Sequence, residues 1–343
     1  SRPFSARRIP SRSGESMAAI AAGAMTASEP PRTELFRIAS VDVHALAADG
    51  KDGPDLGLRP VAEPARMSEA GVCPTSDIQE LWRQKSRLDQ LFDEGKSSLY
   101  WRARDELFPA LPSRTGKVAD ASRGGRQRAE CHRNRAGEKL AEIADAVGGL
   151  LEGAMRPASE ETVFVDICGA PGAWSQYVYR FASERGCRAR GFGFSLRAGT
   201  NPKSCTWYDD LVARNDFTAV WGEDGTGDVC EACNINQAAD IIGRTAAIVV
   251  ADGACGVGSN WGGDHLENYQ EIIASRMILS ETLLMLLVLR TGGCFVCKLF
   301  DTFSDLTVGI LFVASALFEE TFVVKPVHSR VVNSERYLVG VRF

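Results

Sequence analysis

From residue 162 onward the chain alternates between short apolar runs and longer stretches with helical spacing. Residues 162–168, 189–195, 217–221, 246–251 and 293–300 have strand length and a strand-like pattern. Helical spacing covers 173–185, about 266–290 and about 304–318. Residues 321–327 and 336–341 close the chain as two more strands. Strands separated by helices imply right-handed crossovers and a mostly parallel, seven-stranded α/β sheet with helices on both faces. The last two strands share only a short connection, so one of them runs antiparallel. Upstream, Leu81, Leu88, Leu91 and Phe92 predict a helix within 77–107, and a second is expected over about 129–151. Residues 1–75 show no sustained period and are rich in Ala, Ser, Pro, Gly and Arg, which predicts a disordered leader that the domain does not need. The expected domain is therefore 76–343, with a helical extension over 76–150 and the α/β core over 160–343.

Composition narrows the class without naming a function. The 343 residues are 45% hydrophobic and 24% charged, as in an ordinary soluble domain. A collagen, a wholly disordered chain and a small disulfide scaffold are excluded. The longest apolar stretch, 277–289, is interrupted by Ser280, Glu281 and Thr282 and falls short of the ~20 apolar residues of a membrane span. The formal net charge of −5 does not advertise nucleic-acid binding, so a polyanion would need a local basic patch. Residues 114–139 supply one, with eight Lys/Arg against three Asp/Glu. Ten cysteines follow no secretory signal and no disulfide spacing, which favours a reducing compartment. Cys294 and Cys297 lie three apart on a strand and point to opposite faces, so they cannot share one ion. Only the Cys230/Cys233 pair is left, too few ligands for structural zinc.

Ligands of open α/β sheets bind beyond the carboxyl ends of the strands. The first long strand ends in Asp166-Ile-Cys-Gly-Ala-Pro-Gly-Ala-Trp-Ser-Gln176. Glycines at 169 and 172 let backbone approach a ligand and turn into a helix. The spacing is neither G-x-G-x-x-G nor a Walker loop.

That string resembles the cofactor loop of FtsJ-type RNA ribose 2′-O-methyltransferases. Arg290-Thr-Gly-Gly-Cys-Phe-Val-Cys-Lys-Leu-Phe-Asp301 and Lys325-Pro-Val-His-Ser-Arg-Val-Val-Asn-Ser-Glu-Arg-Tyr337 resemble the eukaryotic mRNA-cap branch of the family. Asn134–Lys139 and Ala251–Gly253 agree with it. The resemblance covers 130–343 well and implies a Rossmann-like S-adenosylmethionine-dependent fold. It implies a catalytic tetrad at Lys139, Asp252, Lys298 and Glu335, in which Lys298 deprotonates the ribose 2′-OH. A neighbouring lysine and burial are expected to depress its pKa for that task. The cofactor S-adenosylmethionine would lie on Cys168, Gly169, Ala170, Pro171, Gly172, Asp228 and Asp252, with a side chain at Gly172 pressing against it. Arg102, Arg104, Arg330 and Ser334 are the expected RNA or cap contacts, and Arg123, Arg126 and Arg128 the expected electrostatic patch. The implied function is transfer to the first transcribed nucleotide of capped mRNA. The implied setting is the nucleus, with the cytoplasm as the alternative, the capped 5′ end and the transcription machinery as partners, and neither metal nor membrane. An rRNA or tRNA 2′-O-methyltransferase and a catalytically dead RNA-binding subunit are the competing readings.

Overall fold

The computed structural model describes residues 33–40, 73–88, 94–100, 102, 135–157, 159–199, 204–254, 266–329 and 333–343. Its centre is an eight-stranded sheet. The strands are β1 (Glu34–Ile38), β2 (Glu161–Ile167), β3 (Arg188–Phe194), β4 (Phe217–Val220), β5 (Ala246–Ala251), β6 (Leu289–Leu299), β7 (Glu320–Lys325) and β8 (Arg336–Val341). They lie side by side in the order β1-β7-β8-β6-β5-β2-β3-β4. The pairs among β2 to β6 are parallel, whereas β8 is antiparallel to both β6 and β7. The parallel helix-covered core and the reversed strand near the end follow the expectation.

The central strand shows why the sheet forms. All six residues of β5, Ala-Ala-Ile-Val-Val-Ala, are buried, as a strand covered on both faces requires. Ile248 and Val250 point into one layer with Leu140 and Ile143 of α2 (Arg135–Ala146) and Trp174 and Val178 of α3 (Ala173–Glu184). Val249 and Ala251 point into the other, with Ile235 of α5 (Ala232–Ile242), Ile278 and Met285 of α6 (Gln270–Val288) and Ile310 of α7 (Asp305–Leu317). Cys294 belongs to the first layer and Cys297 to the second, so the alternation of the strand separates the two thiols. A short helix, α4 (Asp209–Val212), precedes β4. Among the described residues no helix is long and apolar enough to cross a membrane.

Three expectations need correction. The helix expected over 77–107 is broken: α1 spans Thr75–Lys85 and a 3-10 turn spans Ser86–Leu88. Gly95 then turns the chain with φ 68, a conformation that ends helices. Helix α5 was not anticipated between the third and fourth expected strands. The third correction concerns the leader: residues 34–38 form β1, an eighth strand paired antiparallel with β7 from Glu34↔Lys325 to Ile38↔Thr321. Leu35 and Phe36 are 43% and 56% exposed. The strand therefore carries almost no burial signal and is held by its backbone ladder, which hydrophobic pattern does not report. Arg37 adds an ion pair to Glu320 at 3.3 Å. The remainder of 1–72 lies outside the described residues.

A chain shortened to begin at Ser76 loses β1 and leaves β7 as a bare edge. A five-residue ladder worth roughly 2 kcal/mol net corresponds to a melting temperature lower by roughly 5 °C. Identical melting curves for the full and shortened chains would show that β1 adds nothing.

Candidate active site

The sheet brings four distant residues to one edge. β5 and β6 are parallel and in register, Ala251 facing Cys297, so Asp252 and Lys298 emerge side by side at their carboxyl ends. β8 runs the other way and pairs Tyr337 with Lys298. Its start, not its end, therefore reaches this edge and delivers Glu335 and Tyr337 on one face. Helix α2 lays Leu140, Ile143 and Ala144 on the core and places buried Lys139 over the same edge. The indole Nε1 of Trp174 donates to the Ala136 carbonyl at 2.6 Å and fixes the start of that helix.

The four charges alternate in space. Lys298 Nζ lies 3.0 Å from Asp252 Oδ1 and donates to the Asp252 carbonyl at 2.9 Å. Lys139 Nζ lies 3.3 Å from Asp252 Oδ2 and 2.8 Å from Glu335 Oε1. The fully buried Tyr337 hydroxyl sits 2.9 Å from Asp252 Oδ1 and 2.6 Å from Glu335 Oε1, with one proton to share between them. Its ring packs against Trp174 at a tilt of 47° and lies beneath Lys139 Nζ at 5.5 Å. Burial pushes the Asp252 carboxyl up, but Lys298 and Lys139 outweigh it and hold it below its usual range. Burial pulls Lys298 down, yet the Asp252 and Glu335 carboxylates win and raise it above the usual lysine range. This corrects the expectation of a depressed lysine. A carboxylate stands between the two ammonium groups, so each cation is governed by an anion before the other cation.

Beside the tetrad, β2 runs into the glycine turn 168–172. β2 lies between β3 and β5, the point where the strand order reverses and a crevice opens. Gly169 is required because a Cβ there would sit 2.1 Å from Asp166 Oδ1. Gly172 has φ 106, and its Cβ would lie 2.3 Å from Leu211 Cδ1 and 3.0 Å from Trp207 Cε3. The expected clash with a ligand is thus replaced by a clash with the segment that backs the loop. Tyr208 N donates to the Pro171 carbonyl at 2.9 Å and binds that segment to the turn. Buried Asp166 accepts from Ser175 N and Oγ through Oδ2, at 3.0 and 2.7 Å. Its Oδ1 has no partner among the described residues, and burial pushes the carboxyl up to about 7. A glycine cradle at the switch point, floored by an unpartnered carboxyl oxygen, fits the charged methionine end of a nucleoside cofactor.

The other walls are stitched to this turn. Ala170 N approaches Ser195 Oγ at 3.4 Å, and Arg197 N donates to the Thr226 carbonyl at 2.7 Å. Asp228 Oδ1 accepts from Cys230 N at 2.9 Å, so one oxygen caps a turn. Sequence reasoning missed the organiser of this loop. Buried Asn234 accepts from Asp224 N at 3.1 Å and donates to the Asp228 carbonyl at 3.1 Å and to Thr226 Oγ1 at 3.3 Å. It also missed Tyr337 and Glu281. Glu281 is buried on α6 with Oε2 3.5 Å from Cys297 Sγ, and burial pushes it up to about 7. Of the expected RNA contacts, Arg102 is exposed and Ser334 is buried. Arg104, Arg330, Arg123, Arg126 and Arg128 lie outside the described residues.

Residues 132–343 match the family model for FtsJ-like methyltransferase. The cap-specific mRNA (nucleoside-2′-O-)-methyltransferase 1 of Trypanosoma brucei brucei is 42% identical over 266 residues, 77% of this chain and 65% of that protein. The protein of the same name from Leishmania braziliensis is 38% identical over 77% of this chain and 62% of its own length. The mouse protein of that name is 35% identical over 51% of this chain and 21% of its own length. The match thus spans less than two thirds of these relatives. With the family model covering β2 to β8, the cradle and all four charged residues of the edge, this chain belongs to the FtsJ-like methyltransferase family.

Proposed function

We propose that the chain transfers a methyl group from S-adenosylmethionine to the ribose 2′-OH of the first transcribed nucleotide of capped mRNA. The observation that carries the chemistry is the closed Lys139–Asp252–Lys298–Glu335 array beside the 168–172 cradle. The cap as substrate is supported by the names of the relatives. S-adenosylmethionine supplies an electrophilic methyl group when bound. Cys168 to Gly172 and Asp166 would hold its methionine end, and the loop carrying Asp228 would line the far end of the crevice. This reading sets the enzyme in the nucleus, beside the transcription machinery that makes its substrate. Arg102, Arg104 and Arg330 are the cations for the transcript.

Lys298 meets the 2′-oxygen. It is buried, and both of its anchors belong to Asp252, so its Nζ is aimed rather than free. Its proton must leave before it accepts the hydroxyl proton, and the Asp252 ion pair makes the neutral amine scarce near neutral pH. Lys139 and Tyr337 hold the two carboxylates in place, and Glu335 keeps Lys139 from displacing Lys298 on Asp252.

Two outcomes follow. On one short RNA prepared capped and uncapped, methyl transfer should occur to the capped form and stop when its first nucleotide already bears a 2′-O-methyl group. Equal transfer to both forms would favour the rRNA or tRNA reading. No transfer by a folded, cofactor-binding chain would favour an RNA-binding subunit.

Lys298→Ala should reduce the single-turnover rate by about 10²–10⁴-fold with unchanged cofactor affinity. Because the raised pKa leaves little neutral amine, the wild-type rate should climb about tenfold per unit between about pH 6 and 7.5. A flat profile there would mean that Lys298 acts only as a cation.

A further inference from the structure

The last strand crossing holds a half-buried cation, Lys325, outside the tetrad. Lys325 ends β7, and its ammonium spends all three donors on one short segment. It donates to the Asn333 carbonyl, to Asn333 Oδ1 and to the Glu335 carbonyl, each at 2.8 Å. This segment delivers Glu335 to Lys139 and leads into Tyr337. It is not part of a strand, because β8 begins only at Arg336. No ladder fixes it, so side chains must. At the other end of the same connection, Glu142 of α2 takes the His328 amide at 3.2 Å and its ring Nδ1 at 2.5 Å. Ser334 is buried, and Arg336 donates back to its carbonyl at 3.0 Å.

We propose that Lys325 is a positioning residue for methyl transfer: by tying down residues 333–335 it sets the Glu335 carboxylate against Lys139 and so completes the tetrad. The proposal rests on the transferase reading for its catalytic consequence, but the tether itself does not. All three of its donors go to the protein itself. The groups that face it are Glu335 and Arg336 at the start of β8, Glu34 across the β1 ladder and Asp301 beyond β6. Burial, joined by the Arg336 cation, outweighs the three carboxylates and lowers the lysine to about 8. Above that pH the amine has two donors for three acceptors, and its lone pair faces carbonyl oxygen. The tether then loosens and Glu335 loses its fixed place. The climb in rate driven by Lys298 must therefore bend near pH 8.

The test uses the full chain, Lys325→Met and Lys325→Arg, each read by hydrogen exchange across residues 333–337 and by single-turnover rate on capped RNA. Lys325→Met should speed exchange there and lower the rate by about 10²-fold, the usual scale for a displaced catalytic group, with cofactor affinity unchanged. Lys325→Arg should restore slow exchange and most of the rate. Because arginine stays charged, its rate should keep climbing past the pH at which the wild type bends. Wild-type exchange in Lys325→Met, or a bend that stays near pH 8 in Lys325→Arg, overturns the proposal. If the wild-type chain transfers no methyl group, the transferase reading fails on its own, and the exchange comparison still decides whether Lys325 holds the segment. A Lys325→Met chain that melts well below the wild type is set aside, and the pH bend in Lys325→Arg becomes the deciding measurement.

Discussion

Asp252 stands where little water reaches it, and a carboxylate in such a place remains ionised only if cations and hydrogen-bond donors take water's part. Two lysines and a tyrosine do so, from α2, β6 and β8. Each of these depends on the carboxylate in return. Removing it would strand two ammonium groups in a low-dielectric edge, and Glu335 alone could pair only one of them. The edge of the sheet is therefore an electrostatic assembly centred on one residue. The strand ends and the helix α2 act as its rigid supports, and the energy of the pairing holds three chain segments in register.

The same arrangement explains which parts of the site were legible in sequence. Lys139, Asp252, Lys298 and Glu335 stand inside strings that mark the family, and apolar runs placed Asp252 and Lys298 at strand ends. The direction of the Lys298 shift was not legible, because it depends on whether an anion or a cation is the nearest neighbour in space. The positions 139 and 335 are 196 residues apart, and no spacing rule reports their contact. Asn234 and Glu281 were missed for a related reason: a buried polar residue inside an apolar helix has no period, and its purpose appears only with its partners. Tyr337 was in view, two residues beyond Glu335, and the two-residue period of a strand was the available signal that both face the same way. β1 left almost no signal, since an edge strand held mainly by its backbone ladder needs no apolar face.

Glycine is the other constraint that sequence reading located correctly but explained incompletely. Gly169 and Gly172 do shape the cradle, yet each yields to protein atoms, to the Asp166 carboxyl and to the pair Trp207 and Leu211. The turn is thus pressed from below and behind before any ligand arrives. Preformed loops of this kind lower the ordering cost of binding. Asp166 and Glu281 add buried carboxyls that titrate near neutrality, on either side of the ionised Asp252. Burial, helped by the charge of Asp252, keeps both carboxyls neutral below about pH 7.

Strand direction decides how the last carboxylate has to be held. In a fully parallel sheet every residue at the carboxyl edge leaves from the end of a strand and inherits the rigidity of that ladder. Asp252 and Lys298 are of this kind. β8 runs backwards, so the residues it offers to the edge come from the loop that enters it. Such a loop lacks ladder bonds on the side where Glu335 must be accurate to a fraction of an ångström. Charged tethers to β7 and α2, through Lys325 and through the His328–Glu142 pair, replace the missing ladder. The antiparallel strand that completes the sheet thereby creates a need for a hydrogen-bonding cation beside the catalytic edge, and the chain supplies Lys325 from the neighbouring strand β7.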